Sequence, residues 1–85
     1  MAEVRLLPEA QQQLLEMQPT IRKRCWKILS RLEKWPEVSG AKPLHRDLAG
    51  QFRIRTGGYR VQFYHNRELD VIFIVHVGYR KGFYE

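Results

Sequence analysis

Three arginines stand within eight positions in the segment QFRIRTGGYRVQFY, which covers residues 51–64. They are Arg53, Arg55 and Arg60, and most of their neighbours along the chain are aromatic or aliphatic. Guanidinium groups bind phosphate oxygens in a bidentate manner and keep their charge at any physiological pH. Such groups can stabilise the charge that develops on the phosphoryl oxygens when a phosphodiester is cleaved. The cluster therefore predicts a phosphate-binding site, and solvated arginines on an exposed strand are the plainer alternative.

Phosphodiester cleavage also needs proton transfer at the attacking and leaving oxygens. In RNA the 2′-hydroxyl can itself attack the phosphate, so the chemistry requires no metal ion. Arginine is a poor proton acceptor because its pKa lies above ~12. Tyr84 is the best candidate for proton transfer, since nearby guanidinium groups favour its phenolate form, and Arg80 is expected to complete the site. Tyr84 lies next to the end of the sequence, so simple packing is its alternative role.

The dipeptide Gly57-Gly58 predicts a two-residue β-hairpin turn, and that turn fixes which residues pair. The predicted pairs are Thr56 with Tyr59, Arg55 with Arg60, Ile54 with Val61, Arg53 with Gln62, and Phe52 with Phe63. Paired residues share a face of the sheet. We call the side that carries Arg53, Arg55, Arg60 and Gln62 the arginine face, and we expect it to be exposed. A pair of like charges destabilises a sheet, so keeping Arg55 opposite Arg60 indicates a use for the pair.

The remaining segments predict helices followed by strands. AEVRLL reads as a short strand, and Pro8 fits the first turn of a helix through PEAQQQLLEM. From Ile21 to Trp35 the apolar residues recur at helical spacing, and the other side of that helix is basic. Residues 36–50 read as a loop, and VIFIVHV reads as a central strand that is apolar on both faces. The predicted fold is α+β, a small antiparallel sheet of about four strands with an N-terminal helical hairpin packed on one face.

The 85 residues predict a single domain, 1–85, and the net charge of +6 favours a polyanionic partner over a purely solubilising role. Cys25 is the only cysteine and lies on the apolar side of the second helix, which predicts a buried thiol in a reducing cytoplasm. No segment has the apolar length of a signal peptide or membrane span, so we expect neither.

Other catalytic signatures are missing from the sequence. It contains no glycine-rich phosphate loop and no G-x-S-x-G motif, and we expect no cofactor. His45, His65 and His76 lack the spacing of a metal site. We expect His76 to be a hydrogen-bonded histidine in the core, and we expect Trp26 and Trp35 to lie in the core as well.

The sequence contains four features in this order: a short first strand, a helical hairpin ending at WPE, the segment KPLHRDLAGQFRIRTGGYRVQF, and the segment VHVGYRKGFY. The third has a leucine, a glycine, a basic strand and G-Y-R, and the fourth has V-G-x-R and a closing tyrosine. Together they resemble the RelE/ParE superfamily of bacterial toxins, and within it the RelE-like ribosome-dependent endoribonucleases. The similarity covers nearly the whole chain, and its specificity comes from the order and spacing of the pieces.

The resemblance implies a toxin of a type II toxin–antitoxin system that cleaves mRNA in the ribosomal A site by metal-independent attack of the 2′-hydroxyl. By position it implies that the site residues are Arg53, Arg55, Arg60, Arg80 and Tyr84. The best-known form of the family has lysines where Arg53 and Arg55 stand, so the identity of the general base stays open. The implied partners are mRNA on the ribosome, ribosomal RNA and an antitoxin whose extended segment wraps the toxin.

Two other functions remain open at this point. A ParE-like inhibitor of DNA gyrase would share the fold but have no nuclease site. An inactive relative would only bind nucleic acid or a protein partner.

Overall fold

The structure is a computed structural model that describes residues 2–79 of the chain. Helices α1 (Pro8–Leu15) and α2 (Pro19–Arg31) follow a first strand, β1 (Glu3–Leu6). The remaining strands are β2 (Lys42–Pro43), β3 (Phe52–Thr56), β4 (Tyr59–Asn66) and β5 (Val71–Tyr79), with short 3-10 helices at Leu32–Lys34 and Arg46–Leu48. The α+β fold predicted from the sequence is confirmed.

The strands form one mixed sheet in the order β1-β5-β4-β3-β2. The prediction of about four antiparallel strands differs in two respects. Between residues 2 and 79 there are five strands, because two residues of the segment expected to be a loop pair with β3. In addition, β1 runs parallel to β5: the helical hairpin leads the chain from β1 toward β2 at the other edge of the sheet, and antiparallel β3 and β4 bring it back to β5 beside β1. β5 lies between β1 and β4, as its two-sided apolar sequence predicted.

The hairpin of β3 and β4 has the predicted register at every pair. Gly57 adopts a φ of 60°, a left-handed conformation that glycine accepts without a steric penalty. Ile54, Val61 and Phe63 are consequently buried on one side of the sheet. The register of the hairpin therefore decides which of its side chains form the core.

Both helices pack on this apolar side of the sheet. α1 contributes Ala10 and Leu14, and α2 contributes Cys25, Ile28 and Leu29. Cys25 is a buried thiol as predicted, and burial raises its pKa. Trp35 packs edge-on against two rings of the hairpin, Phe52 at 4.9 Å and Phe63 at 5.3 Å between centroids.

The expectation that Trp26 lies in the core is wrong, because its side chain is 48% exposed. One residue along a helix turns the side chain by about 100°. Trp26 follows the buried Cys25, so it leaves the apolar stripe of α2 and lies at its border with the basic side.

A side chain of α1 continues the sheet where β1 stops. β1 ends at Leu6, opposite Ile74, whereas β5 continues to Tyr79. Beyond that point the Val77 N–H donates a hydrogen bond of 2.7 Å to the Gln13 side-chain oxygen. This contact satisfies a backbone donor at the exposed edge of β5 and fixes the strand end that carries Gly78.

Neither described helix has the length and apolar character needed to span a membrane.

We expect Gln13→Ala to lower the free energy of unfolding by about 1–3 kcal/mol, because the partly buried Val77 N–H loses its acceptor. Urea denaturation measures the loss. Gln12→Ala is the matched control, since Gln12 is exposed on the same helix and bonds Glu16 one turn away, so its loss should stay below about 0.5 kcal/mol. Equal losses in the two variants would contradict this role of Gln13.

Candidate functional site

The strand register arranges the polar side of the sheet in two neighbouring rows. One row crosses β3, β4 and β5 and consists of Arg55, Arg60 and Gly78. The next row begins on β2 and consists of Lys42, Arg53, Gln62 and His76. Cβ atoms of paired residues in such rows lie about 4.5–5.5 Å apart. The arginine face therefore continues onto β2 and β5, and sequence reasoning did not include Lys42 or His76 in it.

The three arginines of the hairpin differ in burial. Arg55 is exposed and Arg53 is half-buried, whereas Arg60 is only 1% exposed. The prediction that Arg60 and Gln62 are exposed is therefore wrong. Both stand on β4, an interior strand that has β3 on one side and β5 on the other. Gln62 is 8% exposed and donates a hydrogen bond of 2.6 Å to the Gln51 side-chain oxygen.

Burial of Arg60 has two physical consequences. A guanidinium group enclosed by its neighbours has few accessible rotamers, so its position is fixed before any ligand arrives. The low dielectric of its surroundings also strengthens its attraction for an anion. Arg60 thus adds a fixed positive charge to this face, and the exposed side chain of Arg55 stands beside it.

A depression of about 1000 Å³ opens beside the arginines. Its described lining consists of the segment 42–48 together with Arg53, Arg55 and Arg60. Among these residues five are cationic and one, Asp47, is anionic. A cleft lined by one sign of charge concentrates ligands of the opposite sign. The depression is therefore an electropositive cleft large enough for part of a polynucleotide strand.

His76 lies beside Arg60 on the arginine face. A Cβ atom added to Gly78, the residue opposite Arg60, would come within 2.7 Å of the imidazole Cε1 atom. The ring thus occupies the space that a side chain at position 78 would fill. Burial lowers the pKa of His76, and the charge of Arg60 lowers it further, while Glu9 opposes both effects. The neutral imidazole therefore predominates at physiological pH. The sequence predicted that His76 lies in the core, whereas its side chain is only partly buried.

Three of the five site residues predicted from the sequence lie in the described part of the chain. Arg53, Arg55 and Arg60 come together on one face, whereas Arg80 and Tyr84 lie outside the described residues. Within residues 2–79 no three His, Cys, Asp or Glu side chains form a group that could hold a metal ion.

A second cationic surface lies on α2, whose buried residues pack against the opposite side of the sheet from the arginine face. The helix sequence PTIRKRCWKILSR contains five basic residues and no acidic one. Lys23, Lys27 and Arg31 follow each other at intervals of four, a spacing at which like charges destabilise a helix. The half-exposed Trp26 borders a shallow depression of about 450 Å³ that is also lined by Pro19, Thr20, Arg22 and Lys23.

No family model and no curated protein matches the sequence. Solved structures do match the fold over nearly its whole length. A chain of the toxin–antitoxin complex RelBE2 from Mycobacterium tuberculosis has 28% identity and a TM-score of 0.80, with 93% of this chain and 98% of that chain covered. The isolated RelE toxin of E. coli has 19% identity and a TM-score of 0.81, with 95% and 86% covered.

A YoeB/ParE toxin from Agrobacterium tumefaciens is also similar, with 12% identity, a TM-score of 0.79, and 91% and 96% of the two chains covered. Relatives named for RelE and for ParE thus superpose on the same helical hairpin and sheet. This chain has the fold of the RelE/ParE-type toxins, as its sequence resemblance predicted.

Proposed function

We propose that this chain is the toxin of a type II toxin–antitoxin system and that it acts as a metal-independent endoribonuclease on mRNA in the ribosomal A site. The observation that carries the proposal is the row formed by Arg55 and Arg60 inside an electropositive cleft of a RelE-like fold. A nuclease needs such a row to bind phosphate, whereas a toxin that only docks on a protein does not.

In the proposed reaction the 2′-hydroxyl of the mRNA attacks the adjacent phosphate. Arg60 holds that phosphate from its fixed position, and the arginines around it, Arg53, Arg55 and Arg80, stabilise the charge that develops on the phosphoryl oxygens. Tyr84 assists proton transfer. Because the arginines stay protonated, the acceptor of the 2′-hydroxyl proton must be another group.

The basic surface of α2 is a second reason to propose that the reaction takes place on a large structured RNA. An mRNA strand bound on the arginine face cannot also cover α2, because the sheet and its core separate the two surfaces. Clustered cations bind phosphates, and an exposed indole among them can stack on a base. Ribosomal RNA near the A site would meet both requirements, which fits a nuclease that needs the ribosome.

The proposed protein partner is an antitoxin. The similar structures from M. tuberculosis and E. coli include complexes of a toxin with its antitoxin. An extended acidic segment would complement the electropositive cleft of this chain and block access of RNA. The proposed place of action is the cytoplasm, where translating ribosomes are found.

We expect Arg55→Ala to reduce mRNA cleavage roughly tenfold or more, because one guanidinium group at the phosphate is lost. Arg55 is exposed, so the substitution should leave the fold intact. Primer extension on a cellular mRNA after brief expression should reveal breaks within translated codons for the wild-type protein and few for the variant. Arg67→Ala, at an exposed arginine in the turn after β4, is the control and should cut normally.

The same experiment separates the alternative functions. If mRNA stays intact and a DNA-damage response appears, the chain is a gyrase inhibitor and not a nuclease. If mRNA stays intact and growth is normal, the chain is an inactive relative that only binds nucleic acid or a protein partner. Arg80→Ala and Tyr84→Phe test, in the same assay, the two proposed site residues that lie outside the described part of the chain.

We expect Lys27→Glu to weaken binding to ribosomes several-fold without lowering the free energy of unfolding. The substitution converts two repulsive contacts, with Lys23 and Arg31, into attractive ones at the same helical spacing. Cosedimentation with ribosomes and urea denaturation measure the two effects. Arg67→Glu makes the same charge change away from α2 and should leave ribosome binding near that of the wild type; equal weakening by both variants would refute a docking role for α2.

A further inference from the structure

We propose that His76 is the group that accepts the proton of the attacking 2′-hydroxyl. The inference rests on the proposed function and deepens it, because it names the proton acceptor that an all-arginine phosphate site does not provide.

The geometry gives His76 access to a phosphate held by Arg60. His76 stands opposite Gln62, and two residues further along β5 Gly78 stands opposite Arg60. With no side chain at Gly78, the imidazole leans over that position, and a Cβ atom there would lie 2.7 Å from Cε1 and 3.4 Å from Nε2. The ring therefore extends from its own row toward the row of Arg60, on the side of the sheet where RNA would bind.

Burial keeps His76 in the form that accepts a proton, and the charges around it act in both directions. Glu9 of α1 and Arg60 of β4 both act on the imidazole, and Arg53 stands in the same cross-strand row. Burial and Arg60 lower the pKa of His76, and Glu9 raises it. The net effect is a pKa below the usual value, so the neutral imidazole predominates at physiological pH, and it is lost only as the pH falls below that pKa.

The step balances as a simple transesterification. A ring nitrogen takes the proton from the 2′-hydroxyl, and the 2′-oxygen forms a bond to phosphorus. The bond from phosphorus to the 5′-oxygen breaks, and that oxygen receives a proton from water or from Tyr84, which then regains a proton from solvent. The products are a 2′,3′-cyclic phosphate and a 5′-hydroxyl, and the imidazolium then returns its proton to solvent. No oxidant, reductant or metal ion enters the step.

His76 borders Arg60 and is not itself in the described lining of the cleft, which contains two other groups able to accept a proton. These are His45 and Asp47, and both are exposed on the segment 42–48, which begins with β2. β2 lies at the edge of the sheet, beyond β3, whereas Arg60 is on β4. His76 is on β5, next to β4, so it is the described histidine placed directly beside Arg60.

The test is single-turnover cleavage of mRNA on programmed ribosomes between pH 5 and 8. We expect the wild-type rate to fall on the acid side with a midpoint below the ordinary histidine pKa of ~6.5. His76→Gln should cut roughly 100-fold more slowly or worse and lose that acid limb, since glutamine does not titrate. Ribosome cosedimentation by His76→Gln should equal that of the wild type, which separates a catalytic loss from a binding loss.

His65→Gln is the matched control, because His65 is a strand histidine that bonds Asp70 at 2.9 Å and lies beside Trp35, on the side of the sheet opposite the arginine face. It should keep the wild-type rate and pH profile. Added imidazole should restore part of the cleavage by His76→Ala, a result that a merely structural role would not produce.

Three outcomes would overturn the assignment. Wild-type rates and an unchanged acid limb in His76→Gln would exclude His76. Loss of the acid limb in His45→Gln instead would move the acceptor to the segment 42–48. If the wild-type protein does not cleave mRNA at all, the proposed function is wrong, and so is the role of His76. If cleavage does not depend on His76, only the role of His76 is wrong and the proposed function is unaffected.

Discussion

The pairing of Arg55 with Arg60 across the Gly57-Gly58 turn is the constraint on which the site depends. The same register buries Ile54, Val61 and Phe63 under the helices. A shift by one residue would exchange the two faces of a strand, so the apolar core could not form without also assembling the cationic row. The hydrophobic effect thus supplies free energy that holds two like charges side by side in the sheet.

The chain keeps cations in places where they weaken the fold. Arg55 and Arg60 are like charges paired in the sheet, and the basic residues of α2 stand at repulsive spacings in a helix that contains no acidic residue. The two surfaces lie on opposite sides of the molecule, so a single short strand of RNA does not explain both. A substrate presented inside a larger RNA assembly explains both, and so does a pair of acidic contacts from an antitoxin that wraps around the chain.

Local patterns allowed the register of the hairpin to be predicted in full, because a two-residue turn and alternating apolar residues leave one register that places the apolar side chains on the same face. Long-range features were harder to infer. The parallel partner of β5 and the two-residue strand β2 depend on how distant segments meet, and neither has a clear local pattern. The burial of Arg60 has the same origin, since it follows from the position of β4 inside the sheet. The position of His76 over Gly78 was missed because its strand reads as uniformly apolar, although the side-chain alternation of β5 relative to Arg60 contained the signal.

The claim that Arg55 and Arg60 hold one phosphate is tested most directly by a double-mutant cycle in single-turnover mRNA cleavage on programmed ribosomes. The four proteins are the wild type, Arg55→Ala, Arg60→Lys and the double variant; lysine at position 60 retains the buried charge but not the bidentate fork. Two groups on one phosphate are coupled, so the loss in the double variant should differ from the product of the single losses by about fivefold or more. A double-variant loss equal to that product, with all four proteins folded, would mean that the two arginines act independently and would contradict the proposed site.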